Sequence, residues 1–395
     1  MNNFKAALDE TEACIATGLS HIRRHCDLDG KMNVGMLDSH QQATSDLAVS
    51  TAELQCARNY LEYAHEKGEI ENQLASTFAA ETLHNIRQRF ARFPGDYGLV
   101  SADLEKIDLD VCGDLLSASG LQALGKRIVE RQGDLGDRGL DEEKLLMADT
   151  FRQFAEDVVK PLAARIHGEN TIIPDEILDG VRELGCFGLS VPQRYGGLLP
   201  DDQEDNLGMI VVTEELSRGS LGGAGSLITR PEIMARALIE GGTEEQKQHW
   251  LPKIAEGRPL CAIAITEPDY GSDVASMKLK ATQVDGGWVL NGAKAWSTFA
   301  GKSGVLLTLA RTDPDLSAGH RGLSLFMVEK PEYDGESFEV SQDAGGKLSG
   351  SSIPTLGYRG MHSFNLFFDN FFVPATHMIG EEKGLGKGFY FTMRG

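Results

Sequence analysis

Long hydrophobic runs and an excess of basic residues are both missing from this chain of 395 residues. No stretch of 18 consecutive apolar residues occurs, which argues against a membrane-spanning helix. The opening MNNFKAALDE has no apolar core behind a basic end, so we do not expect a secretory signal. Lysine and arginine number 38 against 59 aspartate and glutamate, a net charge of −21. Because so acidic a surface repels phosphate backbones, nucleic acid is not expected as a partner.

Cysteine is scarce, and its positions follow no metal or disulfide pattern. No C-x-x-C pair occurs, so we expect reduced thiols and a cytoplasmic protein. His21, His25 and Cys26 lie close together on a predicted helix. Two histidines four positions apart can share a metal, but no glutamate follows His21 and no third ligand is evident, so no metal is predicted. The six cysteines are Cys14, Cys26, Cys56, Cys112, Cys186 and Cys261.

The order of elements predicts an α+β protein with several domains. Leu47, Leu54 and Leu61 recur one heptad apart in a first helical part. A polar, glycine-bearing stretch, 131–141, is interpreted as a linker to a second helical block. Helices followed by a block of strands favour α+β or separate domains over an alternating parallel sheet. The predicted regions are a helical extension at 1–140, a helical domain at 141–259, a β-domain at 260–380 and the start of a further helical domain at 381–395.

Three local patterns predict specific turns and caps. Gly286-Gly287 lies between two strand-like segments and predicts a two-residue hairpin turn. Thr243 and Gln246 have the spacing of a helix capping box. The glycine-rich 221–225 stretch does not fit G-x-G-x-x-G and follows no clear strand, so we interpret it as a loop between helices.

Two segments of the β-rich part carry residues suited to a flat, anionic ligand. The loop 266–273 offers hydroxyls, backbone N–H groups and a glycine that permits close approach. In the second segment, the Trp296 indole can cover an aromatic ring, and the Thr298 hydroxyl two residues on can reach the edge of that ring. From the residues alone, a glycine–proline turn and a core tryptophan are the favoured interpretations of these two segments. Within the loop, Glu267 and Asp273 are interpreted as turn and capping residues.

These two segments together resemble the signature of the acyl-CoA dehydrogenase family. AITEPDYGSD is followed about 20 residues later by NGAKAWST, and further agreement comes from VPQRYGG, from GGTEEQKQHWLPKIAEG and from FDNFFVPATHMIGEEKGLGKGF. The resemblance runs from about residue 145 to the last residue. The long helical extension and GGKLSGSSIPTLGYRGMHSF resemble the branch of the family that converts (2S)-methylsuccinyl-CoA to mesaconyl-CoA.

The resemblance implies a helical N-terminal domain, a middle β-barrel and a C-terminal four-helix domain, with FAD wedged between them. Thr266 matches the family residue that hydrogen-bonds the pyrimidine edge of the flavin. Trp296 matches the aromatic residue that covers one face of the flavin, and Thr298 matches the residue whose hydroxyl reaches flavin N5. Gly271 and Ser272 match the turn near the pyrophosphate and the CoA arm. The implied cofactor-binding residues are Ile265, Thr266, Gly271, Ser272, Trp296, Ser297 and Thr298.

The implied reaction is α,β-dehydrogenation of an acyl-CoA, with electrons passed to electron-transferring flavoprotein by a dimer or tetramer. A carboxylate removes the α-proton in this family, and it lies in the C-terminal helical domain. The chain ends at Gly395, where that domain would begin, so no catalytic base is nominated. We therefore expect an incomplete copy that binds FAD poorly and is inactive alone.

A substrate with a free carboxylate needs a cationic partner in its pocket. The candidates are Arg230, Arg359 and His362, with Ser272 as a further substrate contact, and each cation could equally serve a structural ion pair. An acyl-CoA oxidase, a flavin monooxygenase and a non-catalytic protein on the same scaffold remain as alternatives.

Overall fold

The computed structural model describes residues 2–393. Two compact units divide after Leu140. No helix in the described part is long and apolar enough to cross a membrane. Within residues 2–393 no group of three His, Cys, Asp or Glu side chains has the arrangement of a metal site.

The first unit is helical and is built around three long helices. Leu47, Leu54 and Leu61 are all buried, as their heptad spacing predicts. Leu19 keeps 50% of its surface exposed, although it shares a helical stripe with the buried Ile15 and Ile22. The elements are α1 (Asn2–His25), β1 (Asp27–Leu28), β2 (Lys31–Met32), α2 (Val34–Leu37), α3 (Gln41–His65), α4 (Glu69–Ala91), α5 (Ser101–Glu105) and α6 (Ala118–Glu130).

The second unit begins with helices. The predicted capping box is confirmed at the start of the helix Glu244–Glu256 (α12), because the Gln246 N–H donates to the Thr243 hydroxyl and the Thr243 N–H donates back to the Gln246 side chain. The interpretation of 221–225 as a loop was wrong: these residues form a π-helical turn that continues directly from the helix Asn206–Ser220 (α10). The helices are α7 (Glu142–Phe154), α8 (Lys160–Glu169), α9 (Asp175–Glu183), α10 (Asn206–Ser220), α11 (Thr229–Gly241) and α12 (Glu244–Glu256), with a second π turn at Ala155–Val159.

A strand-rich region follows, as the sequence predicts. Its eight strands form one sheet in the order β3-β6-β4-β5-β10-β9-β8, and β7 pairs with β6. Strand β6, which pairs with β3, β4 and β7, is buried along its whole length. The strands are β3 (Cys261–Ala264), β4 (Lys280–Val284), β5 (Gly287–Thr298), β6 (Val305–Arg311), β7 (Leu323–Glu329), β8 (Ser337–Ser341), β9 (Lys347–Ile353) and β10 (Ser363–Pro374), before two short helices, α13 (Glu381–Gly384) and α14 (Gly388–Met393).

The predicted hairpin between β4 and β5 is present, but its turn is displaced by one residue. Val284 pairs with Gly287, so the turn residues are Asp285 and Gly286 rather than Gly286 and Gly287. Gly286 has φ +81°, which accounts for glycine there. The backbone of Gly287 runs so close to β10 that a Cβ would lie 2.2 Å from the Val373 carbonyl oxygen. The second glycine therefore serves strand packing and not the turn.

Candidate functional site

The two signature segments meet at the end of β3. The backbone N–H of Ala295 donates to the Thr266 carbonyl at 2.8 Å, and Lys294 Nζ donates to the Ile265 carbonyl at 2.8 Å. These bonds hold the first residues after β3 against the C-terminal part of β5. The structure thus brings Ile265 and Thr266 together with the segment that contains Trp296.

A buried ion pair supports this junction. Lys294 Nζ lies 3.1 Å from Glu267 Oε1, and the two side chains are 0% and 6% exposed. The Glu267 carboxylate also accepts the backbone N–H groups of Lys278 and Leu279, both at 2.7 Å. Burial lowers the pKa of Lys294 to about 8, and the charge of Glu267 opposes that shift. The interpretation of Glu267 as a turn residue was incomplete, because its carboxylate joins β5 to the backbone that leads into β4.

Lys294 is the site residue that sequence reasoning missed. A lysine in a strand ordinarily faces solvent. Because residues two positions apart share one face of a strand, Lys294 would be expected on the same face as Trp296. The sequence feature that could have indicated a buried Lys294 is its place inside the signature segment NGAKAWST, between two alanines.

A β-bulge in β5 explains why this alternation fails. Ser297 pairs with Phe364 and Lys294 pairs with Leu366, so Ala295 and Trp296 together oppose the single residue Asn365. An extra residue in one strand changes the face that the following side chains occupy. Trp296 adopts φ +58°, a backbone conformation that a bulky residue rarely takes. The bulge therefore turns the indole away from the buried Lys294.

Trp296 is the exposed tryptophan of the chain. Its side chain is 58% exposed, whereas Trp250 and Trp288 are 2% and 6% exposed. Thr298 lies on the same face, and its hydroxyl is 2.9 Å from that of Ser363 on β10. The Ser297 side chain is buried on the opposite face, and its Oγ has no hydrogen-bond partner among residues 2–393. A planar ligand lying on the indole would therefore meet Thr298 and not the hydroxyl of Ser297.

The turn at Gly271 and Ser272 is exposed. It follows a tight backbone pair in which Glu267 and Tyr270 exchange N–H···O bonds of 3.0 and 3.1 Å. A Cβ added to Gly271 would meet nothing within 4 Å, so the chain's own packing does not require glycine there. The roles expected of these two residues toward a cofactor and a CoA arm stay predictions.

The three candidate cations differ in their surroundings. Arg359 donates to the backbone carbonyls of His167 at 2.7 Å and of Thr355 at 3.3 Å, so its side chain serves to hold two backbone segments together. His362 has φ +45°, its carbonyl accepts the Phe299 N–H, and its Nε2 is buried without a partner in the described part of the chain. Arg230, which is partly buried, donates to the Ser226 carbonyl at 2.6 Å, to the Thr229 hydroxyl at 2.8 Å and to the Tyr358 hydroxyl at 2.9 Å.

The residues at the end of β5 fit a flavin in shape and in hydrogen-bonding groups. An indole that stays more than half exposed can cover one face of a planar ring. Thr298 follows the indole in β5, Thr266 is bonded through its carbonyl to the neighbouring Ala295, and both threonines are partly exposed. The carboxylate of Glu267, by contrast, is fully engaged by two backbone N–H groups and one ammonium, and is not free to act as a base.

Comparison with known proteins decides the family. Residues 141–258 match the acyl-CoA dehydrogenase N-terminal domain, and residues 262–371 match the acyl-CoA dehydrogenase middle domain. The chain is 36% identical over 397 aligned residues to the (2S)-methylsuccinyl-CoA dehydrogenase of Cereibacter sphaeroides, covering 96% of this chain and 70% of that protein. The chain belongs to the acyl-CoA dehydrogenase family. The predicted resemblance and fold class are thereby confirmed.

Solved structures agree with the fold. Butyryl-CoA dehydrogenase from Megasphaera elsdenii superposes with a TM-score of 0.55 at 28% identity, covering 65% of this chain and 62% of that one. The FAD complex of PigA gives a TM-score of 0.52 at 25% identity, covering 65% of this chain and 63% of that one. The chain spans 57% to 64% of the length of four further curated relatives.

Proposed function

We propose that this chain provides the flavin-binding part of an FAD-dependent acyl-CoA dehydrogenase. The observation that carries the proposal is the exposed Trp296 indole, presented by a β-bulge beside the Thr298 hydroxyl. An exposed indole held at a positive φ offers a flat surface on which an aromatic ring can stack. Family membership makes FAD the ligand that best suits this face.

Bound FAD would supply the hydride acceptor for oxidation of the acyl chain. In the proposed site, Trp296 would cover one face of the flavin ring and exclude water from it. Thr298 presents its hydroxyl at the ring edge, and Ser363 orients that hydroxyl through the 2.9 Å contact. The Thr266 hydroxyl would bond the pyrimidine edge of the flavin, and the backbone N–H of Ala295 holds the Thr266 carbonyl in place. These residues bind and orient the cofactor, and no base is assigned among residues 2–393.

For the substrate we propose (2S)-methylsuccinyl-CoA, with electron-transferring flavoprotein as the electron acceptor. The support for the substrate is the relative of that name, whose alignment covers 96% of this chain and includes the helical extension. The six cysteines are all free, which supports a cytoplasmic location. A homo-oligomer is the assembly that we propose.

The cofactor part of the proposal is tested by titrating FAD into the purified chain while recording tryptophan emission. Because Trp250 and Trp288 are buried, we expect a saturable quenching that arises mainly from Trp296. The variant Trp296→Phe should lose most of the quenching. Trp296→Ala should bind FAD about 2- to 12-fold more weakly in equilibrium dialysis, since stacking between aromatic rings contributes about 0.5–1.5 kcal/mol.

Two controls make this test specific. AMP shares the adenosine end of FAD but lacks the flavin ring, so it should not quench Trp296. The variant Trp250→Phe should leave the FAD quenching in place, because Trp250 is buried. Equal FAD affinity in the wild-type chain and in Trp296→Ala would show that the ring does not lie on this indole. Peroxide formation by the FAD-loaded protein on adding acyl-CoA would favour an oxidase instead.

A further inference from the structure

Lys294 is a buried lysine whose contacts use all three hydrogens of its ammonium group. Its Nζ donates to the Ile265 carbonyl at 2.8 Å, to Glu267 Oε1 at 3.1 Å and to Met277 Sδ at 3.9 Å. A protonated lysine has three donors and no acceptor, whereas the neutral amine has one donor fewer and a lone pair. All three partners are acceptors, so these contacts suit the charged form of Lys294.

The groups packed around this ammonium carry little negative charge. Among residues 2–393, Glu267 is the one charged group within hydrogen-bond distance of Nζ. On β10, the apolar Leu366 pairs with Lys294. From β6, Arg311 adds a second cation, because its Nε donates to the Met277 carbonyl at 2.9 Å. Burial lowers the pKa of Lys294 to about 8, so this amine changes its charge under mildly alkaline conditions.

The ammonium fixes the direction of the peptide group between Ile265 and Thr266. Because a trans peptide is planar, its C=O and its N–H point in opposite directions. Lys294 binds the Ile265 C=O on the buried side, so the Thr266 N–H points away from the buried ion pair. That N–H donates to no backbone carbonyl among residues 2–393, and Thr266 is partly exposed. A backbone donor at the candidate flavin site is therefore oriented by Lys294.

The next peptide group along the chain is fixed without any charge. The Ala295 N–H donates to the Thr266 carbonyl at 2.8 Å, and the Glu267 N–H donates to the Tyr270 carbonyl at 3.0 Å. Both bonds join backbone groups that do not titrate. The peptide 266–267 thus keeps its direction when Lys294 loses its proton, and the peptide 265–266 is the one that follows the charge of Lys294.

We propose that Lys294 is a positioning residue that makes FAD binding depend on pH, because its ammonium form orients the Thr266 N–H toward the flavin. This inference rests on the proposed flavin-binding function and adds the regulation of that same site. Lys294 acts through the backbone and does not itself contact the cofactor. When Lys294 is neutral, the peptide 265–266 loses its orienting bond and FAD binds more weakly.

The test measures FAD binding to the wild-type chain by equilibrium dialysis between about pH 6.5 and about pH 9.5. FAD affinity should be constant on the acidic side of this range. It should fall as the pH passes about 8, where Lys294 loses its proton. The total fall should be about 2- to 12-fold, since the contribution of one oriented hydrogen bond is lost.

Lys330 provides the matched control, because it is a second buried lysine of the same compact unit. Its Nζ donates to the carbonyls of Gly301, Ser303 and Pro331 at 2.8, 2.7 and 2.9 Å. Burial lowers the pKa of Lys330 to about 7. Lys330→Met should keep the pH profile of wild type. Lys294→Met should bind FAD at the weaker level at every pH.

A double variant separates positioning from stability. Glu267→Leu with Lys294→Met leaves no charge unpaired, so it should regain part of the stability that either single replacement loses. If Lys294 served only to stabilise the fold, this variant would also regain FAD affinity. A positioning role predicts instead that its FAD binding stays weak and does not vary with pH.

Each outcome decides between the role of Lys294 and the function itself. Constant FAD affinity across the pH range in wild type, or an unchanged pH profile in Lys294→Met, would overturn the role of Lys294 and leave flavin binding standing. If the wild-type chain binds no FAD at any pH, the proposed function fails together with this inference. A fall near pH 8 that persists in Lys330→Met and is absent from Lys294→Met is the result that we expect.

Discussion

The replacement Glu267→Gln examines the buried ion pair beneath the candidate site. Glu267 accepts from Lys294 Nζ at 3.1 Å and from two backbone N–H groups at 2.7 Å. Glutamine has nearly the same shape but no charge, and its amide nitrogen cannot accept a hydrogen bond. The replacement therefore leaves Lys294 as a buried, uncompensated cation and one backbone N–H without an acceptor.

The expected cost follows from this geometry. Removing one partner of a buried ion pair destabilises a protein by about 3–5 kcal/mol. The free energy of unfolding of a typical domain is only about 5–15 kcal/mol, so the loss is a large part of the total. Replacing both residues, as in Glu267→Leu with Lys294→Met, should restore part of the stability, since no charge is then left unpaired.

Urea unfolding followed by tryptophan emission is the suitable assay. All three tryptophans, Trp250, Trp288 and Trp296, lie in the second compact unit, so their emission reports unfolding of that unit alone. Asp269→Asn is the matched control, because it removes an exposed carboxylate from the same loop and should change stability by less than about 0.5 kcal/mol. A cost below about 1 kcal/mol for Glu267→Gln would contradict the structural role assigned to the pair.

Three further predictions concern the same unit. Thr243→Ala should lower the free energy of unfolding by about 0.5–2 kcal/mol through loss of the α12 cap, and Thr243→Ser should retain it, both in urea titrations. Gly257→Ala should be destabilising, because φ is +64° and the new Cβ would lie 2.2 Å from the Phe187 ring; an unchanged urea midpoint would contradict the packing described. The pKa of Lys294 is lowered to about 8, so between that pH and about 10.4 the unfolded chain binds more protons. The free energy of unfolding of wild type relative to Lys294→Met should therefore rise with pH across this window. A fall in this free-energy difference would show that folding raises the pKa of Lys294.

Local patterns in the sequence predicted the elements whose stability arises from neighbouring residues. The capping box needs only Thr243 and Gln246, and the structure has it. The β4–β5 hairpin was predicted with its turn one residue too late, because both glycines looked suitable and only strand pairing distinguishes them. Strands β8 and β9 were not predicted, since SFEVS and KLSGSSI are too polar to stand out and gain their order from pairing with each other and with β10.

The sequence by itself determined the family, the helical and strand-rich order, and the two segments that carry the candidate site. Only the tertiary structure decided how their side chains are arranged. The bulge that turns Trp296 outward and Lys294 inward depends on β10, which lies about 70 residues further along the chain. The orientation of the Arg230 guanidinium depends on Tyr358, 128 positions away. Contacts between residues so distant in sequence leave no local periodicity, and the side chains that they orient are therefore recognised only in the folded protein.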